Sequence, residues 1–156
     1  IHDSKFRLKE TILSRCISFK IFFSNDQILN ITNHILNFNV QSTLDADIIG
    51  SYPNIADLIN IINFLKTNDV ELKNINLLKL IKLIIKDRKY KNNSTLYFLF
   101  LNLFEAYLYQ NFLSSKKKEF YDLYKYFTKK FFKTNKYNLD VDTIFAEVND
   151  KILYEK

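Results

Sequence analysis

Glycine and proline are almost missing from this chain of 156 residues, which has one of each, Gly50 and Pro53. Tight turns between β-strands depend on these two residue types, because glycine tolerates positive φ and proline fixes the turn backbone. Hydrophobic residues make up 47% of the chain and charged residues 26%, a balance typical of globular proteins that bury a core. These features predict an all-α fold.

Residues 23–69 are expected to form three helices. Ser24 and Gln27 make a capping-box pattern that predicts the start of the first one. Its apolar stripe is expected to comprise Ile28, Ile31, Ile35 and Phe38. His34 lies beside this stripe with no second His, Cys or paired carboxylate at helical spacing, so we expect a solvated or partly buried histidine rather than a ligand.

Two further helices are expected in the same segment. The second covers residues 43–49 and ends at Gly50, which we expect in the left-handed conformation. The third begins near Asn54, whose side chain can cap the backbone at Asp57. Its buried face is expected to comprise Ile55, Leu58, Ile59, Ile62 and Leu65.

Four longer helices are expected over residues 70–156. Asn74 is expected to cap the first of these helices, and Ser94 the second. The third helix is expected over about residues 116–134, and the last is expected to open at Asp140. In the first of these helices the expected buried residues are Leu77, Leu78, Ile81, Ile84 and Ile85. In the third they are Phe120, Leu123, Tyr124, Phe127 and Phe131. In the last they are Val141, Ile144, Phe145, Val148 and Ile152.

The most apolar window, Leu96 to Leu113, approaches the roughly 20 residues that a membrane-spanning helix needs. Asn102, Glu105 and Gln110 interrupt it, and a charge near the middle of a span is unfavourable by about 2.5–3.5 kcal/mol. A helix of a bundle is therefore the better interpretation, and no membrane partner is expected.

One short motif, Thr11-Ile12-Leu13-Ser14-Arg15-Cys16, carries functional information. The alternating apolar residues Ile17, Phe19 and Ile21 follow it and predict a strand. The motif resembles the Thr-Ile-x-Ser-Arg-Cys signature of bacterial DNA polymerase III clamp loaders. The resemblance implies that Arg15 acts in trans on ATP bound by a neighbouring subunit, with Ser14 and Cys16 as its motif residues.

The resemblance also implies a domain organisation. Residues 1–22 would be the trailing edge of an AAA+ domain with a short strand remnant, 23–69 a three-helix lid domain, and 70–156 a helical-bundle collar domain through which subunits join. The chain starts at Ile1 and contains no methionine, so we expect it to be a piece of a longer protein.

The stretch from Gly50 to Leu58 narrows the resemblance to one kind of subunit. Subunits that hydrolyse ATP carry an arginine in the corresponding turn, where it contacts the bound phosphates, whereas this chain has Asn54 and Ile55. The chain is therefore more similar to the non-hydrolysing delta prime subunits, with a gamma/tau-type subunit as the alternative. The implied partners are the gamma/tau and delta subunits, with the sliding clamp and primed DNA as indirect partners.

The sequence lacks the motifs of an enzyme with its own active site. It has no glycine-rich phosphate loop, no metalloprotease motif and no nucleophile elbow. Cys16 is the one cysteine, which excludes an internal disulfide, and no paired His or Cys predicts a zinc site. We expect no catalytic activity in the chain itself, no cofactor and no metal, and a cytoplasmic location.

The positive charge allows a second class of function. Net charge is +6 and uneven, since residues 1–69 carry six basic and seven acidic side chains while 70–156 carry seventeen and ten. A lysine row at Lys125, Lys129 and Lys133 interleaves with aromatic residues, a pattern that can bind single-stranded nucleic acid. A solvated lysine row is the competing interpretation. A structural helical partner of an unrelated AAA+ protein is a third possibility.

Overall fold

The structure, a computed structural model, describes residues 9–17, 21–51, 53–91, 93–137 and 139–153. These ranges contain eight α-helices and, apart from an isolated parallel bridge between Leu44 and Ile75, no β-pairing. The prediction of an all-α fold is confirmed. The helices are α1 (Glu10–Leu13), α2 (Asn25–Leu36), α3 (Ala46–Ile49), α4 (Ile55–Thr67), α5 (Leu77–Ile85), α6 (Ser94–Ser115), α7 (Lys118–Tyr137) and α8 (Asp142–Val148).

Three short turns of other helix types extend these elements. A 3₁₀ turn at Val40–Ser42 follows α2, and a second at Lys86–Arg88 follows α5. A π-helical turn at Asn149–Leu153 continues α8. None of the helices in the described ranges is both long and apolar enough to cross a lipid bilayer.

The starts of α2 and α4 are capped as the sequence predicts. Ser24 Oγ accepts a hydrogen bond from the Gln27 N–H at 3.3 Å, and the Ser24 N–H donates to Gln27 Oε1 at 2.9 Å. Asn54 Oδ1 accepts from the Asp57 N–H at 2.8 Å. Each cap supplies an acceptor for a backbone N–H that has no partner within the helix.

The cap of α5 is Asn76, and its prediction at Asn74 is wrong. Asn76 Oδ1 accepts from the Lys79 N–H at 2.8 Å. The helix begins late because the backbone of Ile75 is held in the parallel bridge to Leu44. Asn74 instead takes the left-handed conformation, with φ of 49°.

Two more helix starts differ from the prediction by one or two residues. Asn93, not Ser94, caps α6, because Asn93 Oδ1 accepts from the Leu96 N–H at 3.2 Å. The last helix begins at Asp142 rather than at Asp140. Asp140 Oδ1 still accepts from the Asp142 N–H at 3.0 Å, so Asp140 supports the turn just before the helix.

Gly50 closes α3 in the right-handed conformation, with φ of −71°, so the prediction of a left-handed residue is wrong. Its N–H donates to the carbonyl oxygen of Ala46 at 2.7 Å, and a Cβ at this position would lie 2.9 Å from the same oxygen. The absent side chain therefore permits a close backbone approach. The helix is also shorter than predicted, since it begins at Ala46 rather than at residue 43.

A continuous apolar core extends from Leu29 in α2 to Val148 in α8. Phe100 of α6 is completely buried, and its ring lies 4.4 Å from that of Phe145 and 5.4 Å from that of Phe104. Packing of this density makes the core sensitive to the loss of a single ring.

Of the first two long helices, α2 turns a different face inward from the one predicted, whereas α4 largely follows the prediction. In α2, Leu29 and Thr32 are buried whereas Ile35 is 53% exposed. In α4, Leu58, Ile62 and Leu65 are buried as predicted. Ile61 and Phe64 are buried as well, and the predicted residues Ile55 and Ile59 are half-buried. A helix advances about 100° per residue, so an error of one position moves the predicted stripe to a neighbouring face.

The later helices agree more closely with the prediction. Leu77, Ile81 and Ile84 of α5 are buried as expected, and Leu80 joins them. The buried residues predicted correctly in α7 and α8 are Phe127, Phe131, Ile144, Phe145 and Val148. The predicted residues that are instead half-buried are Leu78, Ile85, Phe120, Leu123, Tyr124, Val141 and Ile152.

The predicted strand after the Ser-Arg-Cys motif is not observed in the described residues. Ile17, Ile21 and Phe22 are exposed and have no β-pairing, and residues 18–20 lie outside the described part of the chain. A strand needs a partner strand for its backbone hydrogen bonds, and the described ranges contain none.

Candidate functional site

The motif residues Ser14, Arg15 and Cys16 form the turn that ends α1. The Arg15 N–H donates to the carbonyl oxygen of Ile12 at 3.0 Å, and the Cys16 N–H donates to that of Leu13 at 3.4 Å. Ser14 Oγ donates to the carbonyl oxygen of Thr11 at 3.2 Å. Backbone and serine hydroxyl therefore hold the turn while the side chain of Arg15 takes no part in it.

Arg15 is exposed, and no hydrogen bond or ion pair within the described residues holds its guanidinium. A guanidinium has five N–H donors in a planar fork, which suits two oxygens of one phosphate or carboxylate. The structure brings no second predicted site residue to Arg15 beyond its neighbours in the motif. The site can thus offer a cation to another molecule, and the described residues add no group that would enclose a ligand beside it.

All of the described residues from Lys9 to Ile17 are exposed, and three of those near Arg15 are large and apolar. Ile12 is 46% exposed, Leu13 50% and Ile17 84%. Cys16 is an exposed free thiol, so it does not serve as a small buried side chain. Exposed large apolar side chains at this density are typical of a surface that another polypeptide covers.

Metal-binding chemistry is not evident in the described part of the chain. No group of three His, Cys, Asp or Glu side chains there is placed to hold a metal ion. His34 is exposed on α2, in agreement with the expected solvated histidine.

Asp142, at the start of α8, collects three side chains that the sequence gives no means to associate with it. The Tyr90 hydroxyl donates to its carboxylate at 3.0 Å, Lys91 Nζ at 2.7 Å and Arg88 Nη1 at 3.2 Å. The hydrogen bond from Lys91, reinforced by that from Tyr90, lowers the pKa of Asp142 below its ordinary value. The cluster joins the segment after α5 to α8, which is a structural role.

Glu147 forms a second such cluster on α8. It accepts hydrogen bonds from the Tyr126 hydroxyl at 2.6 Å and from Lys151 Nζ at 2.9 Å, and it pairs with Lys130. Partial burial raises the pKa of Glu147, but the three hydrogen bonds outweigh it and bring the pKa down to about 2. The charge of Lys130 is therefore paired within the protein, unlike the charges of the exposed lysines of the same helix.

The lysine row on α7 consists of three exposed side chains, Lys125, Lys129 and Lys133. Lys125 Nζ lies 5.1 Å from the centre of the Tyr121 ring, a cation–π contact. Lys129 and Lys133 make no ion pair with any described residue. Phe132, between them in sequence, is 66% exposed. The row is a solvated face beside uncovered aromatic rings, of which Phe132 is the most exposed of those between residues 121 and 133.

A groove of about 950 Å³ lies between the start of α4, one side of α6 and the start of α7. Its walls are linked by hydrogen bonds, from Asn102 Nδ2 to Asp57 Oδ2 at 3.4 Å and from the Tyr124 hydroxyl to Glu105 Oε1 at 3.0 Å. Gly50 lies at the edge of the groove. The sequence gives no sign of this groove, because its walls come from separate segments, of which the α4 and α6 walls are about 50 residues apart.

Comparison with protein-family models, with curated proteins and with solved structures finds no match to this chain. Function is therefore inferred from the residues themselves and from the short motif around Arg15. The other clusters, at Asp142 and Glu147, are satisfied within the protein.

Proposed function

We propose that this chain is the C-terminal part of a non-hydrolysing clamp loader subunit of the delta prime type. In this proposal residues 1–22 end an AAA+ domain, 23–69 are the lid and 70–156 are the collar that joins neighbouring subunits. The observation that carries the proposal is the exposed guanidinium of Arg15 within the Thr11–Cys16 motif. The proposal implies a cytoplasmic protein with no cofactor of its own.

The proposed role of Arg15 is to stabilise phosphoryl transfer on a neighbouring subunit. Negative charge spreads over the oxygens of the transferring phosphoryl group, and an arginine that approaches from outside offsets it. In GTPases such an arginine contributes about 10³- to 10⁵-fold to the rate. Arg15 would serve as a sensor of assembly, because the rate enhancement requires that the two subunits be in contact.

The uncovered apolar side chains beside Arg15 support an interface at this position. Ile12, Leu13 and Ile17 offer area that a neighbouring surface can bury. The partners in this proposal are the gamma/tau and delta subunits, and the sliding clamp and primed DNA would be reached through them. A gamma/tau-type subunit is less well supported, because Asn54 and Ile55 stand where such a subunit needs a phosphate-binding arginine.

The test is Arg15→Ala in the full-length subunit, reassembled with its partner subunits. Clamp-stimulated ATP hydrolysis should fall severalfold while gel filtration shows an unchanged complex. Arg15→Lys should also be impaired, because an ammonium lacks the planar fork. Lys9→Ala, which removes another exposed cation of the same segment, should hydrolyse ATP at the normal rate. Normal hydrolysis by the assembled Arg15→Ala loader contradicts the proposal.

Binding of single-stranded nucleic acid is the second candidate function. The observation that favours it is the exposed, unpaired row at Lys129 and Lys133 beside the uncovered Phe132. Lys129→Glu with Lys133→Glu should then abolish salt-dependent binding of an oligothymidylate. The matched control is Lys79→Glu with Lys82→Glu on α5. Equal loss in both double variants would indicate only non-specific attraction to positive charge.

A further inference from the structure

The groove beside α6 has the dimensions of a helix-binding site. The α6 residues that line it extend from Leu99 to Leu113. At about 1.5 Å per residue this stretch is roughly 21 Å long, which matches about four turns of a second helix. A groove that follows one helix over this length suits an elongated occupant better than a compact small molecule.

Large apolar side chains in the groove are left uncovered by the described residues. Tyr109 is 58% exposed, Leu113 53% and Tyr121 45%. Beneath them lie the buried side chains of Leu103 and Leu108. Exposed and buried apolar groups thus form one continuous surface, which is the kind of surface that binds the apolar face of an amphipathic helix.

The charged side chains that line the groove are two carboxylates, Asp57 and Glu105, and no cationic side chain lines it among the described residues. Neither carboxylate forms an ion pair within the described ranges, and they accept hydrogen bonds from the neutral groups of Asn102 and Tyr124. Lys125, over the ring of Tyr121, is a cation at the rim. A groove with this charge stands out in a chain whose net charge is +6.

We propose that this groove binds a basic amphipathic helix of a partner protein. The apolar face of the helix would cover Tyr109 and Leu113, and its Lys or Arg side chains would reach Asp57 and Glu105. An acidic helix is repelled by the same carboxylates, so the charge sets the chemistry of the partner. The proposal does not depend on Arg15, which is not among the groove residues.

The probe for this proposal is a helical peptide of about 18 residues made of Leu and Lys only, with Leu on one face. Its counterpart has Glu in place of every Lys. Gly50 is the one glycine of the chain and lies at the groove, so labelling with ¹⁵N-glycine gives a single amide signal at the site. Titration of the full chain with the Lys peptide should shift this signal saturably, and the Glu peptide should not. An unmoved signal, or equal shifts with both peptides, overturns the proposal.

Variants with matched controls locate the binding. The double variant Asp57→Asn with Glu105→Gln keeps the side-chain shapes. It should weaken the binding of the Lys peptide by about threefold to tenfold. Leu113→Ser should weaken it by a similar factor, whereas Ile35→Ser, which alters an equally exposed side chain on α2, should not. Asp26→Asn with Glu71→Gln is the matched charge control, because both side chains are exposed and neither lines the groove.

Two outcomes of the variant series count against the proposal. If the control variants weaken peptide binding as much as the groove variants do, the peptide is attracted to the whole protein surface and no groove site exists. If the chain self-associates and Leu113→Ser alone abolishes it, the occupant is a second copy rather than a basic partner helix. Sedimentation velocity on the wild type and on Leu113→Ser distinguishes this second outcome.

Discussion

The hydroxyl of Tyr90 donates a hydrogen bond to Asp142 at 3.0 Å, and so connects the segment after α5 to the first turn of α8. The same Tyr90 ring stacks on Phe145, with 3.7 Å between ring centres and 6° between planes. Burial, with the hydrogen bond to Asp142 next, raises the pKa of Tyr90 above its ordinary value, so the hydroxyl remains a donor throughout the neutral range. One side chain thus provides both an apolar and a polar contact between distant parts of the sequence.

Tyr90→Phe should lower the free energy of unfolding by about 1–2 kcal/mol, because the ring stays and only the bond to a charged acceptor is lost. Urea denaturation followed by circular dichroism measures the change. Tyr109→Phe is the control, since that side chain is 58% exposed and its hydroxyl has no partner among the described residues. If Tyr90→Phe unfolds at the wild-type urea concentration, the hydrogen bond contributes nothing to stability.

Glu147 should make the protein sensitive to acid. Its pKa is about 2 in the folded state and near 4.5 in the unfolded state, so the unfolded state binds the proton more readily. The stabilisation is present in full above about pH 4.5 and is lost as the pH falls towards 2. Glu147→Gln should therefore flatten the fall in stability over this window, as measured by thermal unfolding at a series of pH values. A curve with the wild-type slope would contradict the role of the cluster.

The cap of α6 can be tested by two neighbouring substitutions. Asn93→Ala removes the acceptor for the Leu96 N–H and should destabilise the protein by about 1 kcal/mol. Ser94→Ala alters the first residue inside the helix and should be neutral or slightly stabilising, because alanine is the better helix former. Chemical denaturation of both variants decides the matter, and a larger loss for Ser94→Ala would reverse the assignment.

The core can be tested with two phenylalanines that differ in burial. Phe100 is completely buried among other rings, so Phe100→Ala should reduce stability by about 3–5 kcal/mol. Phe132 is 66% exposed, and Phe132→Ala should change stability by less than about 0.5 kcal/mol. Comparable losses for the two variants, compared by urea denaturation, would show that the packing described around Phe100 is wrong.

Sequence reasoning succeeded where the interacting groups are close together in the chain. The Ser24–Gln27 capping box and the Asn54 cap each join residues three apart, so the sequence contains both partners. The prediction of the capping residue of α5 failed, because Asn74 and Asn76 are both suitable caps and stand two residues apart. A contact with distant Leu44 decides between them.

The candidate sites show the same limit. The turn at Arg15 is local, and its exposure could be anticipated from the motif. The partners of Asp142 come from residues 51 to 54 positions earlier, and no periodic pattern links them. The apolar sequence of α6 predicts that this helix packs against neighbours on several sides. It does not predict that the side near Leu113 stays uncovered and forms the groove.

Asp47 is bound to two much later parts of the chain. Its carboxylate accepts from the Leu77 N–H at 2.8 Å, and its carbonyl oxygen accepts from Gln110 Nε2 at 2.7 Å. With the Leu44–Ile75 bridge, these bonds tie α3 to α5 and α6. We therefore expect the segments before and after residue 69 to melt together in one cooperative step, so that a cut between them would leave neither half with a complete native state of its own.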